Sequence, residues 1–245
     1  MNLPVRQRPL LCLLPGLDGT GHLYGPLVEV LGEWAEVRVL AYDACGSADY
    51  PALCEALQSE LPATGELVLV AESFAGPLSV MLAARHPGRV RALVMAASFV
   101  HAPLACSRLC ASVLQRMPAL VPPVAWMEWV LAGAELPPSL RDAFAAILRT
   151  VPAERIKQRA LAALRADVRS RLAVMDVPLL YLRAKHDRLI GVRAGQVVMA
   201  HARHAAWEEI EAPHFLFQTA PIAAARAIRE FLDRLPGRID VAGRA

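Results

Sequence analysis

The feature that most constrains this chain is the stretch Glu66 to Ala71, ELVLVA, in which the five residues after Glu66 are apolar with no polar alternation. A strand of that kind must be covered on both faces, which is the situation of a parallel sheet sandwiched between helices. Short, mainly apolar runs recur at Leu10–Leu14, Val37–Ala41, Val90–Ala96 and Pro178–Arg183, and Ala206–Ile210, which carries Glu208 and Glu209, reads as the sixth strand. Helical periodicity fills the intervals: His22–Glu33, Pro51–Leu61, Phe74–Arg85, Val192–Ala202 and Pro221–Leu235. The expected fold class is α/β, with a parallel sheet of about six strands flanked by helices. The second strand should sit at one edge, beside the first, and crossovers should be right-handed.

The segment from His101 to Asp176 breaks the rhythm. It carries helical patterns, Pro103, Pro118, Pro122, Pro123 and the Pro137-Pro138 pair, but no convincing strand. It reads as a helical insertion after the fourth strand. The expected division is residues 1–100 and 177–245 as the core and 101–176 as a helical cap over the C-terminal strand ends. Pro236 to Ala245 reads as a mobile tail.

Hydrophobic residues make up 56% of the 245 and charged residues 20%, which excludes intrinsic disorder and allows a large core. A net charge of +3 gives no reason to expect nucleic acid as a partner. The apolar start ends at Pro15-Gly16, too early for a signal peptide, and Met117–Ala134 is too broken by proline to span a membrane. The expected location is cytoplasmic. The five cysteines, Cys12, Cys45, Cys54, Cys106 and Cys110, fit no metal ribbon and read as small buried hydrophobes. No motif requires a metal or another cofactor.

The strongest local signal is Ala71-Glu72-Ser73-Phe74-Ala75-Gly76, at a strand end and opening a helix. A serine on such a bend is lifted above the sheet if small residues flank it, and Ala71 and Ala75 supply them. The same serine could instead cap the helix. A nucleophilic hydroxyl needs a base. Of seven histidines, His214 stands four residues past the last strand and just before the final helix. His22 and His101 could line a site but lie in the wrong place for the base. Asp187, after the fifth strand, would fix the histidine tautomer; as an alternative it is a turn residue paired with Arg188. Pro15-Gly16-Leu17-Asp18-Gly19-Thr20-Gly21 follows the first strand and can present backbone N–H groups to an oxyanion. It is not a phosphate loop, because no Gly-Lys-Ser/Thr follows. The oxyanion donors are assigned to the N–H groups of Leu17 and Phe74.

With these stations in the order Ser…Asp…His, the chain resembles the α/β-hydrolase superfamily. His86-Pro87-Gly88-Arg89-Val90-Arg91-Ala92-Leu93-Val94 is similar to that family's passage from the nucleophile helix into the next strand. The chain departs from the common pattern in having alanines for the two elbow glycines, Pro15-Gly16 in place of His-Gly, and only about nine residues before the first strand. The resemblance implies a compact, all-parallel member. It also implies a serine hydrolase, since relatives acting on halides or epoxides carry aspartate where Ser73 stands.

The expected activity is carboxylic ester hydrolysis through a Ser73 acyl-enzyme, with Ser73, Asp187 and His214 as triad. The alternative is a ligand-binding protein on a hydrolase scaffold with little turnover. Trp126, Trp129 and His101 are candidate substrate contacts. From Arg141 to Arg171, eight basic residues face three acidic ones. That is either a solvated helix face or a surface that steers an acidic partner. Pimeloyl-carrier-protein methyl ester esterases, which the chain loosely resembles, imply an acidic acyl carrier protein in that role, met by Arg155 and Arg159. A small-molecule ester is the other expected substrate.

Overall fold

The structure is a computed structural model that describes residues 8–120, 122–133 and 136–236. Of the tail expected from Pro236, residues 237–245 lie outside the described residues.

β1 (Leu10–Leu14) leads through a short 3-10 turn at His22–Tyr24 into α1 (Gly25–Gly32). Pro26 starts that helix, so the single helix expected from His22 is divided in two. β2 (Glu36–Val39) and α2 (Tyr50–Gln58) follow; Asp49 caps α2 by accepting the Ala52 N–H at 2.9 Å. β3 (Leu67–Glu72), α3 (Ala75–Arg85) and β4 (Val90–Ala96) complete the first part. Five helices come next: α4 (Ser107–Arg116), α5 (Val124–Leu131), α6 (Pro138–Thr150), α7 (Ala153–Ala163) and α8 (Arg169–Val174). The chain then returns through β5 (Leu179–Ala184), α9 (Val192–His201), β6 (Ala205–Ile210), a four-residue α10 (Leu216–Thr219) and α11 (Pro221–Arg234).

The six strands form one parallel sheet in the order β2-β1-β3-β4-β5-β6. Alternation along each strand divides the core in two. Leu11, Leu13, Val68, Val70, Ala92, Val94, Leu180 and Leu182 pack beneath residues of α1 and α11. Cys12, Leu14, Leu69, Leu93, Met95, Leu179 and Tyr181 pack with α2, α3 and α9. Both faces are therefore dry, which is why the inner strands carry no polar alternation. The edge strand β2 does alternate, EVRV, with its two apolar residues turned inward.

The inserted helices build a third cluster from Leu136, Phe144, Ile147 and Val151, closed by Leu23 and Phe215 of the sheet's loops. The helix α8 does not belong to it: Val168, Leu172 and Met175 sit in the main core. From Ala162 onward, residues of the inserted segment, Ala163 and Ala166 among them, already pack on the main core. The base of the insertion is an isolated antiparallel bridge between His101 and Asp167. Among the cysteines, Cys12 and Cys54 are buried as expected, but Cys106 is exposed at the start of α4. Among the described residues, no helix is long and apolar enough to cross a membrane, and no cluster of metal-ligating side chains is present.

β2 leaves β1 on one side and β3 lies on the other, so the order of strands reverses between β1 and β3. Ligands of open α/β sheets bind in the crevice at the carboxyl ends of strands at such a reversal. The loop after β1 and the turn after β3 are the glycine-rich segment and Ser73.

Candidate active site

Ser73 has φ of +50°, a left-handed conformation that non-glycine residues avoid. The surroundings impose it. The Ser73 N–H donates to Ala96 O at 2.9 Å, Ser98 Oγ donates to Ser73 O, and the Tyr50 hydroxyl holds Phe74 O at 2.9 Å while its ring stacks on Phe74. Such strain at the end of a strand lifts the hydroxyl out of the sheet. Ala71 and Ala75 are both fully buried, so the small residues named from the sequence stand at the bend. The tightest approach, however, is at Gly76. A Cβ there would lie 2.1 Å from Ser98 Oγ and 2.6 Å from Phe99 O.

His214 Nε2 lies 2.9 Å from Ser73 Oγ, and His214 Nδ1 lies 2.8 Å from Asp187 Oδ2. Asp187 Oδ1 accepts the N–H groups of Leu189 and Ile190, each at 2.8 Å. With Nδ1–H donated to a carboxylate, Nε2 is left as the acceptor for the serine proton. Both the imidazole and the carboxylate are all but sealed from water, at 4% and 3% exposure. Three loops from opposite parts of the chain thus bring together the three residues named from the sequence.

The loop after β1 lies against Ser73: a Cβ on Gly16 would be 4.0 Å from that of the serine. Among the described residues, neither the Leu17 nor the Phe74 N–H is taken by a backbone carbonyl. Both remain able to serve an oxyanion.

Ser73 and His214 open into a cavity of about 290 Å³. Leu23, Met127, Val130, Phe144, Ile147 and Ile156 line it, together with Trp126. Two backbone contacts fasten α5 above the site. Phe215 donates its N–H to Leu131 O at 2.8 Å, and Arg188 donates to Trp129 O at 2.8 Å. Arg188 also lies 4.3 Å over the Trp129 ring, so it binds a tryptophan and leaves Asp187 to His214. Trp129 itself does not line the cavity. The helix turns residues 126, 127, 130 and 131 inward, and 129 falls off that stripe. His101 is likewise outside the cavity, held in its bridge to Asp167.

Two features escaped the sequence reading. Glu72 is buried beside Ser73, with one oxygen accepting Gln218 Nε2 at 3.2 Å and the other unpartnered. Burial pushes its carboxyl up to about 7, against the pull of His214 and Gln218. The second is Arg159, read from the sequence as part of a basic surface. It has 0% exposure and donates to three backbone carbonyls. Arg155 is bound to Asp43 O and Cys45 O, Arg141 to Glu128, and Arg169 to Asp167. With Arg165 bound to Gln115 Oε1, five of the eight basic residues are engaged within the protein, and the pair expected to meet an acidic carrier is spent on holding loops. A signal was present: Arg159 lies three residues from the cavity-lining Ile156 and four from the core-packed Ala163, on the inward face of α7.

No protein-family model matches the chain, and no curated protein matches it by sequence. Solved structures do match by shape. An enol-lactonase from Burkholderia xenovorans LB400 superposes with a TM-score of 0.76 at 16% identity, over 95% of this chain and 94% of its own. The chain has the α/β-hydrolase fold. An esterase from Exiguobacterium antarcticum (TM-score 0.76, 16% identity, 93% and 92% coverage) shares this hydrolase fold. So does a hydrolase from Pseudomonas aeruginosa PA01 (TM-score 0.73, 20% identity, 92% and 90% coverage). Each of these matches covers at least nine-tenths of both chains.

Proposed function

We propose that the protein is a serine carboxylesterase. The observation that carries the reading is the hydrogen-bonded chain Ser73–His214–Asp187, at 2.9 and 2.8 Å, opening into an apolar cavity. In this reading His214 Nε2 takes the Ser73 proton as Oγ attacks the ester carbonyl. The N–H groups of Leu17 and Phe74 receive the charge that develops on the carbonyl oxygen. The imidazolium, held by Asp187, protonates the departing alkoxide and leaves an acyl-enzyme. Water, deprotonated by the same imidazole, then attacks the acyl carbon, and Ser73 Oγ leaves with the proton returned to it.

The cavity supports a preference among esters. At roughly 30 Å³ per non-hydrogen atom, a water's share of liquid volume, about 290 Å³ holds about ten such atoms. That fits an acyl chain of up to about eight carbons with its ester group. The apolar lining favours an uncharged chain, with each buried methylene contributing about 0.8 kcal/mol. A carrier-linked ester finds less support, since Arg155 and Arg159 are turned to the protein's own carbonyls. The test is a series of p-nitrophenyl esters from acetate to dodecanoate. kcat/KM should rise with chain length to a maximum near hexanoate or octanoate and then fall. A flat profile, or activity rising through dodecanoate, would contradict this cavity as the acyl site.

A further inference from the structure

The glycine-rich loop is closed by a turn in which Gly19 N–H donates to Gly16 O at 3.1 Å, and its carbonyls are held from outside by Tyr42 and Arg159. The single O–H of Tyr42 is shared between Pro15 O and Gly16 O, the latter at 2.7 Å. Arg159 Nη1 donates to Leu17 O at 2.9 Å and to Asp18 O, and its Nη2 donates to Tyr42 O at 2.8 Å. The guanidinium also lies 4.9 Å over the Tyr42 ring. Four consecutive carbonyls, from residue 15 to residue 18, are thereby bound by two side chains that touch each other. A fully buried guanidinium is costly to keep without partners, so this geometry is strongly determined.

In a planar trans peptide, the N–H of one residue points opposite to the carbonyl before it. Fixing the carbonyls of Pro15, Gly16 and Leu17 toward Tyr42 and Arg159 turns the N–H groups of Gly16, Leu17 and Asp18 the other way. These same residues line the cavity with Ser73. Gly19 completes the fit: its φ is +77°, and a Cβ there would lie 2.6 Å from Arg159 Nη1 and 2.7 Å from the Tyr42 ring.

We infer that Arg159 is a positioning residue for the oxyanion site, a strut that reaches from the inserted helix α7 and, with Tyr42, aims the Leu17 N–H at the reacting carbonyl. The inference rests on the esterase reading above. It makes turnover depend on how α7 is seated, because the helix supplies the group that holds the loop.

The test begins with wild-type protein and Ser73→Ala on p-nitrophenyl hexanoate, which decides the esterase reading by itself. Arg159→Ala, Arg159→Lys and Tyr42→Phe are then compared per active site, counted by complete labelling of Ser73 with a fluorophosphonate. That endpoint excludes misfolded molecules. In Arg159→Ala, kcat per labelled site should fall at least about tenfold, since loss of a single oxyanion donor costs about 10²–10³. KM should stay within about twofold. The affinity for an alkylboronic acid, whose adduct with Ser73 mimics the tetrahedral oxyanion, should fall with kcat. Millimolar ethylguanidine should restore part of the rate in Arg159→Ala and none in wild type. Arg159→Lys, which reaches fewer carbonyls, and Tyr42→Phe should lie in between, and they decide the matter if Arg159→Ala does not fold. Full kcat per labelled site in these variants, or a fall in kcat with unchanged boronate affinity, would overturn the strut while leaving the esterase reading intact. Unaltered activity in Ser73→Ala would instead remove the esterase reading.

Discussion

Asp187 Oδ2 lies 2.8 Å from His214 Nδ1 although 27 positions separate the two residues, and the second oxygen of Asp187 is fixed by the N–H groups of Leu189 and Ile190. The carboxylate therefore cannot turn, and neither can the ring it holds. Asp187→Asn keeps the shape but offers Nδ1 an N–H where it needs an acceptor. That favours the tautomer in which Nε2 carries the proton and cannot take the one on Ser73. The expected outcome is a fall in kcat of about 10³–10⁴ with little change in KM, measured by steady-state kinetics on a p-nitrophenyl ester. A loss below tenfold would mean that Asp187 does not set the tautomer.

The elbow makes a stability prediction. Gly76→Ala places a methyl against Ser98 Oγ and the Phe99 carbonyl, and backbone cannot yield as a side-chain tip can. The variant should lose about 1–3 kcal/mol through overpacking, seen as a lower midpoint in urea. Gly32→Ala, at the solvent end of α1 with open space around it, should be neutral or slightly stabilising. Equal midpoints for the two variants would mean that strand and helix are not tightly opposed at Ser73.

Glu72 makes a prediction about pH. Its carboxyl ordinarily titrates near 4.5 and in the fold is held up to about 7 by burial, against the opposing pull of His214, Gln218 and Tyr24. The folded protein thus binds that proton more tightly than the unfolded chain does. The resulting stability is complete below about 4.5 and is lost as pH rises through about 7, a change of about 3 kcal/mol. Glu72→Gln should remove this component. Between pH 4.5 and 8 the melting temperature of wild type should fall relative to that of the variant. Parallel curves would contradict the assignment.

The sheet was legible because its signals are local. Short apolar runs bounded by turn residues fit a doubly covered sheet, and the His86-Pro87-Gly88 stop marks the start of β4 so well that Val90–Ala96 is its observed extent. The positions of Ser73, Asp187 and His214 were legible for a related reason: each follows a strand that the pattern already located. Gly76 was hidden because its constraint comes from Ser98 and Phe99 on the neighbouring strand's loop, which no window around Ser73 contains. Arg159 was hidden because charge counting ranks arginines together and passes over its helical spacing to the apolar Ile156 and Ala163. The choice between Trp126 and Trp129 also required the seating of α5, which Leu131 O and Trp129 O set by bonds to distant loops.

The claim on which the rest depends is that Ser73 is the nucleophile, and the most direct measurement is kcat/KM for p-nitrophenyl hexanoate in wild type and Ser73→Ala at matched melting temperature. Because the three residues act as a unit, the expected result is a loss of roughly 10⁴-fold or more, with a phosphonate adduct on Ser73 in wild type alone. Slow wild-type turnover after a single burst of product would identify a binding protein on this fold, and Ser73→Ala retaining more than about a tenth of the activity would contradict the assignment outright.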